Sequence, residues 1–208
     1  MITSLCATPR VVSPGYYVTL RYSANLHLPI PETIVSELDE AWAFALAEAE
    51  QRARLAGQPD VAEYLALRNS NDLLRKTGID WLLQTFKDLA GLANRKGSGI
   101  QTSNEDAHRF RVGNATMVGR LLTLKSGVRT LFVEAGWPRT PRDGFIRGDG
   151  LACANIRHVG IPAASRQLLL SKSASGAPRW MVVDKQPSRS QLGAPHIRRH
   201  LEILVDKK

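Results

Sequence analysis

At 208 residues, 43% of them hydrophobic and 23% charged, the chain can bury a real core in one large domain or two small ones, so disorder is not its expected default. No apolar run approaches the ~18 residues of a membrane span, and the start has no basic stretch followed by an apolar one, as a secretory leader would. Two cysteines, Cys6 and Cys153, cannot build a disulfide framework, and the expected home is a reducing cytoplasm.

The charge is unevenly placed. Residues 1–104 carry 10 Lys/Arg and 11 Asp/Glu, a net of −1, whereas 105–208 carry 18 and 8, a net of +10. Such asymmetry points to a polyanion-facing half more than a high overall pI does.

In chain order, YYVTLRYSANL (16–26) alternates and is rich in β-formers, which predicts a strand, and the prolines of HLPIP break it. Ile34, Leu38, Trp42, Ala45 and Ala49 then recur at helical spacing, predicting a helix over about 33–56 that ends at Gly57 and Pro59. The span 32–63 holds 8 acids and 2 bases, a poor seat for a phosphate backbone. A short helix is expected over 60–68. A stronger one is expected over 77–96, opened by a Thr77–Asp80 capping pattern and closed by Gly97. GSGIQTSN (97–104) reads as a flexible joint.

After it the period changes to that of strands: TMVGRLLTL, VRTLFVEA, LACANIRHV, RQLLLSK and PRWMVVD. PHIRRHLEIL suggests a final short helix. The expected fold class is α+β, with a mainly helical region over 1–96 around one strand, a joint over 97–104 and a β-rich basic region over 105–208.

Two basic clusters are the candidate binding residues. The segment 137–150 is a long loop following a strand that begins near Arg129. It carries Arg139, Arg142 and Arg147 beside Trp137 and Phe145. Arginine forks match phosphate, and an aromatic face can stack on an unpaired base; Trp137 equally suits a place capping the core. Arg189, Arg198 and Arg199, with His196, His200, Lys207 and Lys208, form the second cluster. His196 and His200 stand at i, i+4, a spacing able to clamp a metal, but no further ligand follows at recognisable spacing and the neighbouring arginines repel a cation. No metal and no cofactor are expected.

Catalytic patterns are sparse. Cys153 and His158 fall on opposite faces of one expected strand, so they make no thiolate–imidazole pair. Glu134 and Asp184–Lys185 at strand ends suggest a metal-dependent nuclease, with His108 and His158 as further candidates, although the usual acidic-x-Lys element is missing. No Walker, Rossmann, nucleophile-elbow or zincin motif occurs.

The strand YYVTLRYSAN, its proline-broken connection and the amphipathic helix that follows resemble the first β–α step of the ferredoxin-like RAMP subunits of CRISPR-associated RNA-binding complexes, over residues 16–50. The family's glycine-rich loop near the C-terminus has no clear counterpart. The resemblance implies ferredoxin-like elements and RNA as the polyanion. The expected function is thus an RNA-favouring nucleic-acid-binding subunit of a larger ribonucleoprotein or defence-type assembly, without its own catalysis. Its helical half would meet other protein subunits. The alternatives are the metal-dependent nuclease and an adaptor whose basic half binds an acidic protein.

Overall fold

The computed structural model describes residues 32–146, 148–183 and 190–206, with side chains in the first helix from Glu40 onward. The strand expected at 16–26 lies outside them. The first expected helix is α1, Glu32–Leu55. It ends where Gly57 takes φ +68, which lets the Gln58 N–H donate back to the Ala53 carbonyl at 2.9 Å. Pro59 then opens α2 in the first turn, where its missing N–H costs nothing.

Helix α2 runs for 36 residues, Pro59–Asn94, about 54 Å at 1.5 Å per residue. The helices expected at 60–68 and 77–96 are therefore one. Residues 69–76 contain neither proline nor glycine to stop it, and Asp72 pairs with Arg75 one turn on at 2.6 Å. Thr77–Asp80 is consequently mid-helix and caps nothing. Asp80 instead forms an ion pair with Arg120 of the sheet.

Of the flexible joint expected at 97–104, residues 97–100 form a pinned turn and 101–104 open a strand. Asn94 clasps Ile100 with its whole amide: Nδ2 donates to the Ile100 carbonyl at 2.7 Å, and Oδ1 accepts the Ile100 N–H at 2.6 Å. The chain passes directly into β1, Gln101–Val112. There follow β2 Ala115–Ser126, β3 Arg129–Trp137, β4 Ala152–His158, β5 Arg166–Lys172, β6 Pro178–Val183 and α3 Ala194–Val205. The fold is α+β: helices, then a six-stranded antiparallel sheet in simple chain order, then a closing helix. Among the described residues only 3-10 turns separate consecutive strands, so the β–α–β alternation of a ferredoxin-like domain is not found there.

One face of the sheet is buried, as period-two alternation requires. Leu122, Val133, Ile156, Leu168 and Trp180 meet Ile79, Leu82 and Phe86 of α2 and Ile197 and Leu201 of α3 in one core. Gly78 permits the close approach, since a Cβ there would lie 2.7 Å from Leu170 Cδ1. The Trp180 indole N–H donates to the Gly78 carbonyl at 2.8 Å. The helical and basic halves thus share a core across the expected joint. Helix α1 packs chiefly on α2.

Candidate nucleic-acid interface

The strand register decides which basic residues are neighbours. Val118 of β2 pairs with Trp137 of β3, Gly136 with Cys153, Ala152 with Leu170, and Lys172 with Pro178. One end of the sheet therefore collects Arg109 and Arg111 from β1, Arg139 and Arg142 from the loop after β3, and Lys172 and Arg179 from the β5–β6 hairpin. All six are exposed or half-exposed.

The loop that carries the arginines is built. Asp143 is 8% exposed. One oxygen of its carboxylate accepts the Thr140 hydroxyl at 2.9 Å and the Thr140 N–H at 3.0 Å, and the other accepts Arg109 Nη2 at 2.8 Å. The hydrogen bond from the Thr140 hydroxyl, helped by its N–H and the Arg109 charge, holds the Asp143 carboxyl below its ordinary value. Ile146 folds inward onto the sheet face away from the helices, beside Phe110, Met117, Cys153 and Leu169. Arg142 and Phe145 are left outside, Phe145 at 81% exposure.

Trp137 is 9% exposed and belongs to the core. The Arg139 guanidinium lies 3.6 Å from its ring centroid and that of Arg75 at 6.0 Å. Of the two roles open to Trp137 the core one describes its position, and a guanidinium already occupies the ring face that a base would need. Arg147 and Arg189 lie outside the described residues.

The remaining expected residues are elsewhere. Arg129 begins β3, at the other end of the strand from Trp137 and roughly 27 Å away at 3.4 Å per residue. Its guanidinium donates to the Ile203 carbonyl in the last turn of α3, where it complements the helix dipole. Arg198 and Arg199 are exposed on α3 beside His200, which packs against the last residue of β4. The expected residues that are described are thus no single surface.

The histidines of α3 do not act together. His196 Nδ1 accepts the Gly193 N–H at 3.2 Å, whereas His200 is buried and its Nδ1 lies 2.9 Å from His158 Nε2. Burial, then the nearby His158 and Arg166, push His200 down to about 4, and burial with Arg129 lowers His158 as well. Cys153 lies on the opposite face of β4 from His158, and burial raises its thiol to about 11, so it is inert.

A second polar constellation occupies the middle of the sheet face away from the helices. Glu134 of β3 is 5% exposed. Its carboxylate accepts Arg157 Nε at 3.2 Å and Nη2 at 3.1 Å, faces His108 Nε2 at 3.0 Å and accepts Asn155 Nδ2 at 3.4 Å. Burial alone would raise this carboxyl, but the hydrogen bonds from Arg157 and His108 outweigh it and hold the group below its ordinary value. The sequence offers His108 and Glu134 as separate candidates and gives no sign of Arg157. A lone acid inside the apolar run VRTLFVEAGW was the available signal, since a buried carboxylate demands partners. Naming them needs the register.

Asp184 and Lys185, the other half of the expected nuclease, lie outside the described residues. Among the described residues no three His, Cys, Asp or Glu side chains gather to hold a metal. A groove of about 680 Å³ between α2 and the β1–β2 edge is lined by Asp80, Trp81, Asp88, Asp106, Lys87 and Arg120, among others. With acids in the majority it does not suit phosphate. Among the described residues no helix is long and apolar enough to cross a membrane. No family model, curated protein or solved structure matches this chain.

Proposed function

We propose that the protein is a nucleic-acid-binding subunit, RNA favoured, of a larger cytoplasmic ribonucleoprotein or defence-type assembly. The observation that carries the reading is the gathering of Arg109, Arg111, Arg139, Arg142, Lys172 and Arg179 at one end of the sheet by three separate pieces of chain. At ~4.8 Å per strand, a sheet of this width spans roughly 24 Å, long enough to follow several phosphates. Asp143, beside the loop arginines, is engaged by Thr140 and Arg109, so its charge is offset within the loop. The preference for RNA rests on the RAMP resemblance of residues 16–50.

The helical half supports the subunit part of the reading. Trp42, Phe44 and Leu55 of α1 and Val61, Tyr64, Leu67 and Leu73 of α2 are 46–82% exposed. Apolar residues this dense on two helices suit a surface that another protein covers. Binding of a fluorescent single-stranded RNA, measured by anisotropy across a salt series, tests the proposal. Binding that weakens steeply with salt supports it, and no binding at low salt removes it.

A further inference from the structure

We propose that His108, Glu134 and Arg157 form a site that cleaves RNA without a metal, by attack of a ribose 2′-hydroxyl on the adjacent phosphate. The inference rests on the RNA-binding reading and adds a reaction to it. Three features of the backbone converge on this cluster. First, β1 bulges beside it: Glu105 pairs with Leu121 and His108 with Gly119, so three steps along β1 match two along β2. The extra residue reverses the alternation and turns His108 to the same face as Glu105 and Glu134. A regular strand would have sent it to the helix side.

Second, the bulge is strained. Ala107, immediately before His108, has φ +56, a left-handed conformation that is costly for a non-glycine residue and that clusters at functional sites. Third, the sheet beside the cluster is bare. His108 pairs across to Gly119, and Gly119 to Gly136. A Cβ on Gly119 would fall 1.9 Å from the Ala135 carbonyl oxygen. No described helix covers this face, and the His108 and Arg157 side chains are 19% and 52% exposed.

The chemistry of the group is specific. Both oxygens of Glu134 are held by Arg157, whose positive charge opposes a divalent cation at that carboxylate. An imidazole and a guanidinium that both meet one carboxylate can instead supply, with it, an acid, an anion-stabilising group and a base. Without a metal-bound hydroxide the nucleophile comes from the substrate, which selects RNA over DNA. Glu134 takes the 2′-hydroxyl proton, the 2′-oxygen–phosphorus bond forms and the bond from phosphorus to the 5′-oxygen breaks. His108 gives a proton to the departing 5′-oxygen, leaving a 2′,3′-cyclic phosphate and a 5′-hydroxyl end. Arg157, through the N–H groups that Glu134 does not hold, stabilises the charge on the phosphorane oxygens. Proton return from Glu134 to His108 across the 3.0 Å contact resets the pair. His108 stands on the first strand of the sheet, where its ring can leave Glu134 as the ribose enters.

The test uses the full chain, in EDTA, with three labelled oligonucleotides of one sequence: RNA, 2′-O-methyl RNA and DNA. Cleavage of RNA alone, with cyclic phosphate ends, is expected. His108→Gln and Glu134→Gln should slow it by about 10²–10⁴-fold while binding of 2′-O-methyl RNA changes little. His108→Gln is the safer variant because its ring is partly exposed on the first strand, and equal melting temperatures confirm folding. Intact RNA in the presence of bound 2′-O-methyl RNA overturns the cleavage site and leaves the binding reading standing. No binding of any oligonucleotide, with no cleavage, removes both. Cleavage undiminished in folded His108→Gln and Glu134→Gln assigns the activity to something other than this cluster.

Discussion

Helix α2 is one helix in two environments. In its second half Leu82 and Phe86 are 0% exposed, while in its first half Tyr64 and Leu67 are 60% and 56% exposed. The residue types are alike and so is the helical spacing. What differs, among the described residues, is the support: Ile79, Leu82, Leu83 and Phe86 of the second half lie in the core shared with the sheet, whereas the first half adds to it only the partly buried Leu74 near its end. Burial along a helix follows what the sheet covers, and apolar spacing alone does not say which turns it will cover.

Truncation is the largest way to expose that difference. Phe86→Ala should cost about 3–5 kcal/mol, the usual penalty for emptying a filled core site. A denaturant titration in which Phe86→Ala and Phe44→Ala lose similar stability would break the comparison, because Phe44 is 73% exposed. Overfilling the sheet should cost less. Gly119→Ala pushes a methyl into the Ala135 carbonyl, and a loss of about 1–3 kcal/mol or somewhat more is expected. Unchanged stability in Gly119→Ala would contradict the close approach of β2 and β3 at this position.

Acid should loosen α3. His200 in the folded chain lies at about 4, below its ordinary 6.5, and His158 is lowered in the same direction. A group whose folded value is depressed binds protons more readily once unfolded, so its contribution is complete above about 6.5 and is lost as pH falls toward about 4. Arg129, Arg166, His196 and Arg199 add positive charge around the pair. The urea midpoint should therefore drop between about pH 7 and pH 5, and the drop should shrink in a folded His158→Gln/His200→Gln variant. An equal drop in both proteins would assign the acid sensitivity elsewhere. The smallest effect is expected from Phe44→Ala, within about 0.5 kcal/mol of the parent.

The strands with apolar alternation were legible: Leu122, Leu124, Leu131, Val133, Leu168 and Leu170 mark the buried face without any structure. β1 was not, because QTSNEDAH is polar on both faces and reads as a linker. Only pairing with β2 makes it a strand. The union of two expected helices into α2 was hidden by polar residues at 69–72, which weaken propensity but do not stop a helix already nucleated on both sides. The site was legible in pieces. Glu134 and His108 could be named singly, but Arg157 joins them through a register and a bulge, and neither is a local property of sequence. The division of the arginines was hidden for the same reason: Arg129 and Arg139 are close in sequence and stand at opposite ends of β3.

The central claim is that the loop end of the sheet is the surface that meets nucleic acid. The most direct measurement is the slope of log affinity against log salt for single-stranded RNA, in the parent and in an Arg111→Ala/Arg142→Ala/Arg179→Ala variant. These three come from β1, the loop and β6 and meet only through the register. Every phosphate no longer neutralised should flatten the slope by about 0.7, so the variant is expected about two units shallower, with an unchanged melting temperature, while Arg52→Ala/Arg54→Ala on α1 leaves the slope as it was. A slope unaltered in the triple variant, or flattened equally by the α1 substitutions, would contradict the claim.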